Sequence, residues 1–212
     1  MSRPYVFINC AMSADGKIAQ PSGKQMKISG EEDLKRMYSL RSTSDAVLVG
    51  VGTILSDDPK LTVKEKYVKN PKQPIRLVLD TNCRTPKDAE VVNDVTKTII
   101  FVGSDCNKKF GNNVEVIKCK TTIENLINLE YLLDFLFKRG IRRLMVEGGT
   151  TVISNFLKEG LVDDFYIYVG PILIGGKNTP KLVNNDCKNI KLKLVETKRI
   201  GQGILLHYRL IK

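Results

Sequence analysis

The chain has 212 residues, of which 42% are hydrophobic and 27% charged, and its 34 Lys and Arg against 23 Asp and Glu give a formal net charge of +11 at pH 7. It can bury a full core, and no apolar run reaches the roughly 20 residues of a membrane span, so no membrane partner is expected. The basic residues are spread along the chain instead of forming a block, which argues against a nucleic-acid-binding protein. A solvated lysine-rich surface or a site for a polyanionic small molecule explains the charge better.

The N-terminal residues run directly into a strand-like segment without a signal-peptide pattern, so we expect a cytoplasmic protein. The five cysteines are odd in number and contain no C-x-x-C pair, and we expect reduced thiols at all of them: Cys10, Cys83, Cys106, Cys119 and Cys187. With His207 as the single histidine, no metal site is expected. His207 also lies at an alternating position of a predicted strand, where a structural role is more common than catalysis.

Hydrophobic patterns predict a series of strands and helices along the chain. In order they are a strand over Tyr5–Cys10, a helix from about Gly30, strands over Ala46–Val49, Ile75–Leu79, Thr98–Val102 and Val114–Ile117, a longest helix over Ile123–Arg139, a strand over Leu144–Val146, a helix from about Thr150, a strand over Phe165–Val169, and a hairpin of Leu192–Ile200 with Ile204–Leu210. Strands that alternate with helices and then a terminal hairpin imply an α/β fold, with a mostly parallel sheet and an antiparallel edge. No linker or repeat divides the chain, so residues 1–212 are expected to form a single domain.

The first predicted helix carries an arginine on its inward face. Ser29 and Glu32 have the spacing of a capping box, and the apolar stripe of the helix continues to Arg41. A buried arginine needs an anion, because an unpaired buried charge is costly. Asp45, Glu32 or the phosphate of a ligand are the alternatives, and the ligand is favoured.

Three strand ends carry residues suited to a ligand: Gly50–Thr53, Asp80–Arg84 and Glu147–Thr151. The first resembles G-x-G-x-x-G but has Leu55 at the third glycine position, so the Rossmann pattern is not met. In a parallel sheet the three corners share one edge, where a nicotinamide dinucleotide would satisfy them together. Arg84 suits an adenosine 2′-phosphate and so favours NADP over NAD, although a plain surface arginine fits equally well.

A second polar group of residues is left for an anionic substrate: Asn9, Ser13, Asp15, Lys17 and Arg41. Other chemistry is not supported, because the chain contains neither the G-x-S-x-G of α/β-hydrolases nor a P-loop. A two-ligand oxidoreductase is therefore the function that these residues favour.

Five segments resemble the riboflavin-biosynthesis pyrimidine reductases, most closely the stand-alone archaeal type. They are SADGKI (Ser13–Ile18), LRSTSDAVLVGVGTILSDDPKLTV (Leu40–Val63), LVLDTNCRTP (Leu77–Pro86), VEGGTTV (Val146–Val152) and GLVDDFYIYVGPILIGG (Gly160–Gly176). The zinc-deaminase elements H-x-E and P-C-x-x-C, which accompany the related bacterial reductase, are absent from the sequence. The chain therefore resembles the reductase alone.

This resemblance implies a dihydrofolate-reductase-like fold of three layers, a homodimer, and NADPH as hydride donor, with NADH as the alternative. It implies reduction of a phosphorylated ribosylaminopyrimidine to its ribitylamino product; the deaminated pyrimidine and a pterin are alternative substrates. In the cofactor site it implies Thr53 and Asp57 at the ribose and nicotinamide side, Leu79, Asp80, Thr81 and Asn82 at the adenosine side, and Gly148, Gly149, Thr150 and Thr151 around the pyrophosphate.

For the substrate, the resemblance implies contacts from Asn9, Asp15, Gln25, Arg41, Leu61, Lys64 and Glu147. Arg41 and Lys64 would bind the phosphate, in agreement with the arginine on the inward helix stripe. Asp15 and Glu147 are the candidate catalytic groups for proton transfer to the sugar. The chain departs from its relatives at Lys27 and Lys64, where they often carry an aromatic residue and an arginine or histidine.

Overall fold

A computed structural model describes residues 2–184 and 186–211; Met1, Asn185 and Lys212, which the predicted domain includes, lie outside the described residues. Within those ranges a single sheet holds nine strands in the order β5-β4-β3-β2-β6-β1-β7-β9-β8. Their bounds are β1 Tyr5–Ser13, β2 Ala46–Gly50, β3 Ile75–Leu79, β4 Thr98–Val102, β5 Val114–Lys118, β6 Arg143–Gly148, β7 Asp164–Gly170, β8 Leu192–Ile200 and β9 Gly203–Leu210. Reading across the sheet from β5 to β7, all neighbouring strands are parallel. Strand β9 pairs antiparallel with both β7 and β8, as predicted.

Helices cover both faces of the sheet and produce three layers. Their bounds are α1 Glu31–Ser42, α2 Val51–Asp57, α3 Leu129–Lys138 and α4 Thr150–Lys158, with a 3₁₀ turn at Glu90–Val92. The apolar residues of α3 and α4 pack against one face of the sheet, and those of α1 and α2 contribute to a second cluster on the other. Successive residues of β2 are buried on alternate faces, which explains why its sequence is a continuous apolar run.

The bounds of β3 and β4 agree with the predicted ones, but the predicted start of α3 is wrong. The helix begins at Leu129 because Asn128 caps it, accepting a hydrogen bond from the Tyr131 amide on its side chain. The residues before it form a turn closed by a bridge between Thr121 and Ile127. At ten residues α3 is shorter than α1, which has twelve, so its expected rank as longest helix is also wrong.

The capping box predicted for α1 does not form. Gly30 is the N-cap residue and offers no side-chain hydrogen bond to the helix. Ser29 instead donates its hydroxyl to the buried carboxylate of Asp33, at 2.5 Å. The predicted spacing is present, but the Ser29 hydroxyl bonds to Asp33 and not to the helix backbone.

The expectation of five reduced cysteines is wrong at two positions. Cys83 and Cys106 form a disulfide that links the loop after β3 to the loop after β4. Cys10, Cys119 and Cys187 are free, the first two of them buried. The link joins loops at the same edge of the sheet that holds the predicted ligand corners.

No described helix combines the length and apolar character that crossing a bilayer would require. Within residues 2–184 and 186–211 there is also no group of three or more His, Cys, Asp and Glu side chains suited to a metal ion. His207 lies in β9, and its Nε2 is 2.7 Å from the Asp164 carboxylate in β7. The histidine is thus buried in a structural contact of the sheet.

Candidate active site

The three strand-end corners converge on one cavity of about 1110 Å³. Strands β3, β2 and β6 are neighbours in the sheet, so their carboxyl ends lie side by side. Members of all three corners line the cavity, namely Gly50–Thr53, Thr81, Asn82, Arg84 and Glu147–Thr151. The volume is at or above the upper end of the roughly 300–1,000 Å³ usual for small-molecule sites, which leaves room for two ligands.

The corner after β6 presents backbone donors to the cavity. Gly148 and Gly149 adopt φ values of 146° and 27°, a region that side chains with a Cβ avoid. The Gly149 amide donates a hydrogen bond to Thr53 Oγ1 at 3.3 Å, which ties this corner to α2. No side chain caps the start of α4, so the amides of Thr150 and Thr151 remain available to an anion.

A β-bulge sets the direction of the Glu147 side chain. In the pairing of β2 with β6, Leu48 faces Val146 and Val49 faces Gly148, so Glu147 is the extra residue. A bulge of this kind interrupts the alternation of a strand and re-aims one side chain. The Glu147 carboxylate consequently lines the cavity at the end of a strand whose neighbouring residues are buried.

Arg41 binds Glu147 in a two-point ion pair inside this cavity. Its Nε and Nη2 donate to the two carboxylate oxygens at 2.5 and 2.6 Å, and its Nη1 donates to the Thr62 carbonyl at 2.9 Å. Burial disfavours the charged guanidinium, but the attraction of Glu147 exceeds that effect, so the pKa of Arg41 is raised. The prediction of a buried arginine is confirmed. Its anion is Glu147, so the partners Asp45 and Glu32 were wrong, and the favoured ligand phosphate is not needed to neutralise the buried charge.

Asn9 supplies a polar atom without a partner. It lies in β1, is only 6% exposed, and lines the cavity. Among the contacts of the described residues, its Oδ1 is buried and accepts no hydrogen bond. An unsatisfied buried oxygen costs free energy, so its presence beside a cavity indicates a position where a ligand donates.

The loop after β3 forms the opposite end of the cavity, but Asp80 does not take part in its lining. Its buried carboxylate accepts hydrogen bonds from the Arg84 amide at 2.8 Å and from the amide and hydroxyl of Thr85 at 2.7 and 2.6 Å. Thr81, Asn82 and Arg84 do face the cavity. Asp80 therefore holds the shape of the loop with its carboxylate, while its place at the adenosine side of a cofactor stays a prediction.

Asp15, predicted as catalytic, does not line the cavity, and neither do Ser13 and Lys17. The Asp15 carboxylate accepts hydrogen bonds from the Ser13 hydroxyl at 2.6 Å and from the amides of Ile174 and Gly175 at 3.0 and 2.8 Å. These bonds, the one from Ser13 above all, hold the pKa of Asp15 at about 2. The Asp15 carboxylate therefore orders the loop after β7 and lies outside the cavity lining.

The remaining predicted residues all line the cavity: Gln25, Thr53, Asp57, Leu61, Lys64 and Leu79. The lining carries five cationic side chains (Lys27, Arg41, Lys60, Lys64 and Arg84) and three anionic ones (Asp33, Asp57 and Glu147). This excess of positive charge suits a phosphorylated ligand.

Sequence reasoning missed some of the lining residues. Tyr67, which stacks on Tyr38, and the loop residues Asn125–Ile127 also border the cavity. Tyr67 lies in a segment without periodicity, and the loop was assigned to a helix.

A model of the family described as "RibD C-terminal domain" matches residues 4–206. The chain is similar to the 2,5-diamino-6-ribosylamino-4(3H)-pyrimidinone 5′-phosphate reductase of Archaeoglobus fulgidus, with 43% identity over 98% of each chain. The protein of that name from Methanothermobacter thermautotrophicus is 37% identical over 97% of this chain and 98% of its own.

Among solved structures, the chain resembles a diaminohydroxyphosphoribosylaminopyrimidine deaminase/5-amino-6-(5-phosphoribosylamino)uracil reductase from Thermotoga maritima, with a TM-score of 0.85 and 27% identity. The match covers 99% of this chain and 57% of that one, so it spans little more than half of the bifunctional protein. The Saccharomyces riboflavin biosynthesis reductase Rib7 is 22% identical with a TM-score of 0.80 over 99% of this chain and 90% of its own, which is a likeness of fold. The expected three-layer fold is confirmed by these structures.

Proposed function

The chain belongs to the RibD C-terminal domain family of riboflavin-biosynthesis reductases, and from that premise we propose that it reduces the ribosylamino group of 2,5-diamino-6-ribosylamino-4(3H)-pyrimidinone 5′-phosphate with NADPH. The convergence of three strand-end corners on one cation-rich cavity is the observation that carries this proposal. A dinucleotide and a sugar phosphate together need such a long site, with backbone donors at one corner and positive side chains around it.

The cofactor occupies the three corners. Gly148–Thr151 hold its pyrophosphate through amides at the start of α4, and Thr53 and Asp57 hold the ribose on the nicotinamide side. Leu79, Thr81 and Asn82 contact the adenosine, and Arg84 binds the 2′-phosphate, which favours NADPH over NADH. The nicotinamide supplies the hydride, so the protein contributes binding, orientation and exclusion of water.

The substrate occupies the side formed by β1, α1 and β6. Asn9 offers its unpartnered Oδ1 to a donor of the pyrimidine, and Gln25 and Leu61 border the ring. Arg41 keeps N–H groups beyond those that bind Glu147 and Thr62, and Lys64 has no ion-pair partner among the described carboxylates. These two cations bind the phosphate.

Glu147 is the group we assign to proton transfer at the opened sugar. Of the two carboxylates predicted for this role, it alone lines the cavity. Ring opening moves the N–H proton to the ring oxygen by way of the Glu147 carboxylate and leaves an imine at C1′. A nicotinamide held in the corners would supply the hydride for C1′, and solvent would supply the proton for the nitrogen. The Arg41 fork fixes the carboxylate for that transfer, while Asp15 has no role in it.

Consumption of NADPH, followed by its absorbance, tests the function directly. We expect loss of the signal with the diamino substrate, a slower or absent reaction with the deaminated pyrimidine, and none with dihydrofolate. An unchanged signal with authentic diamino substrate would reject the proposal. Faster turnover of the deaminated compound would establish the alternative substrate.

Substitution of Arg41 by Ala tests the phosphate assignment. The substrate KM should increase far more than the KM for NADPH, because Arg41 lies on the substrate side of the cavity. Equal increases would contradict the assignment. The proposal also includes a cytoplasmic location and a homodimer, and sedimentation analysis of the purified chain tests the latter.

A further inference from the structure

The segment from Pro59 to Tyr67, here called the strap, forms one wall of the cavity although it contains neither helix nor strand. Its lining members include Leu61, Thr62 and Lys64. Lys64 is exposed, and its ammonium lies 5.8 Å from the centre of the Tyr38 ring. A segment without a backbone ladder needs other contacts to keep such a side chain in place.

Gln73 supplies a backbone-like contact to the middle of the strap. Its side-chain oxygen accepts a hydrogen bond from the Val63 amide at 2.7 Å, and its Nε2 donates to the Val63 carbonyl at 2.9 Å. The carboxamide thus pairs with both polar groups of one residue, as a neighbouring strand would. Val63 itself is buried, so both groups depend on this one partner.

The residues on either side of Val63 are those that act in the proposed site. Thr62 offers its carbonyl to Arg41 Nη1 at 2.9 Å, and Arg41 continues to Glu147. Lys64 follows Val63 directly and accepts hydrogen bonds on its carbonyl from the next turn of the strap. Gln73 does not line the cavity, so it reaches the ligand only through these neighbours.

The far end of the strap is held by an aromatic contact. The rings of Tyr67 and Tyr38 are stacked at 4.6 Å with an angle of 13° between their planes. Between these ends, the Gln73 side chain is the partner of both backbone polar groups of Val63.

We propose that Gln73 is a positioning residue for substrate binding: by clamping Val63 it fixes Lys64 and the Thr62 carbonyl that orients Arg41. The proposal rests on the proposed function, because it assigns these two cations to the phosphorylated end of the substrate. It predicts that loss of the clamp weakens binding of the sugar phosphate and leaves the cofactor corners unaffected.

The test compares Gln73→Ala and Gln73→Glu with Gln202→Ala, a matched change at an exposed residue in the turn between β8 and β9, which does not line the cavity. We expect the substrate KM to rise roughly tenfold in Gln73→Ala, with the KM for NADPH changed by less than about twofold. Gln73→Glu keeps the acceptor for the Val63 amide but loses the donor, so its KM should lie between those of the wild type and the alanine variant. Gln202→Ala should match the wild type.

Amide hydrogen exchange and ligand binding separate this inference from the proposed function. Exchange at Val63 and Lys64 should accelerate in Gln73→Ala, and affinity for ribose 5-phosphate, measured by calorimetry, should fall by a similar factor of about ten. An inactive wild type would reject the function, and the phosphate affinities would still decide the role of Gln73. Unchanged KM or unchanged phosphate affinity in a folded Gln73→Ala or Gln73→Glu protein would overturn the inference.

Discussion

The ion pair between Arg41 and Glu147 makes a prediction that can be worked out in detail. The two side chains are 11% and 12% exposed, so little solvent screens them. Removing one partner of a buried pair costs about 3–5 kcal/mol, and a glutamine at position 147 still accepts one hydrogen bond. We therefore expect Glu147→Gln to lower the free energy of unfolding by about 3 kcal/mol, or about 6–12 °C in midpoint for a chain of this size.

A double-mutant cycle measures the pair itself. Arg41→Met, Glu147→Gln and the combined variant are unfolded in urea. The loss of unfolding free energy in the double variant should be about 2 kcal/mol smaller than the sum of the losses in the two single variants. The exposed pair of Lys138 with Asp134 serves as a matched cycle, in which a coupling of at most about 0.5 kcal/mol is expected. Additivity within about 0.5 kcal/mol for Arg41 and Glu147 would refute the reasoning, because independent sites behave in that way.

Three further predictions concern the loops around the site. Reduction of the disulfide, or Cys83→Ser, should lower stability by about 3 kcal/mol, the loop entropy for a separation of 23 residues, with Cys187→Ser as an unaffected control in thermal unfolding. Asp80→Asn should raise the KM for NADPH roughly tenfold without changing the substrate KM. In the wild type the Arg84 and Thr85 amides donate to the Asp80 carboxylate, and the NH₂ group of asparagine would place a donor against one of these donors. The pKa of Asp15 is depressed to about 2, so its stabilising effect is complete above about pH 4 and is lost as the pH falls toward about 2. Asp15→Asn should abolish that component of the acid unfolding profile and leave the pH–rate profile unchanged from about pH 5 to 9, whereas loss of a rate-controlling ionisation would restore Asp15 as the proton donor.

The sequence predicted the sheet well because its central strands are buried on both faces. The mostly apolar run Ile75–Leu79 can be read only as a buried strand. Gly160 likewise marks the end of α4, where the Leu161 amide donates a hydrogen bond to the Phe156 carbonyl. The predicted start of α3 was wrong because the residues before Asn128 include Leu126 and Ile127. Their apolar spacing continues that of the helix, although they lie in a turn. Local periodicity cannot distinguish these cases, because the cap is decided by one side chain.

The residues of the candidate site also fall into two groups, those recognisable from local sequence and those brought together only by the fold. Glycine corners at strand ends are visible locally, since the strand, the glycines and the helix are contiguous in the chain. The partner of Arg41 was not visible, because Glu147 lies 106 residues away and faces the cavity only through a one-residue bulge. The disulfide was missed because Cys83 and Cys106 are brought together by two neighbouring strands, and their spacing carries no motif.

These two kinds of residue also differ in what they can contribute to the reaction. The corner Glu147–Thr151, found from the sequence, presents backbone amides at the start of α4, so it suits a pyrophosphate, a ligand group that many proteins share. The contacts found only in three dimensions join Gln73, Val63, Arg41 and Glu147 across three separate segments. Because the Gln73 side chain holds the Val63 backbone and the adjoining Thr62 carbonyl holds Arg41, a change at Gln73 should reach the sugar phosphate while the cofactor corner stays intact. We therefore expect substrate discrimination by this protein to depend on the strap and the bulge, where side chains can vary without altering the backbone proposed to bind the cofactor.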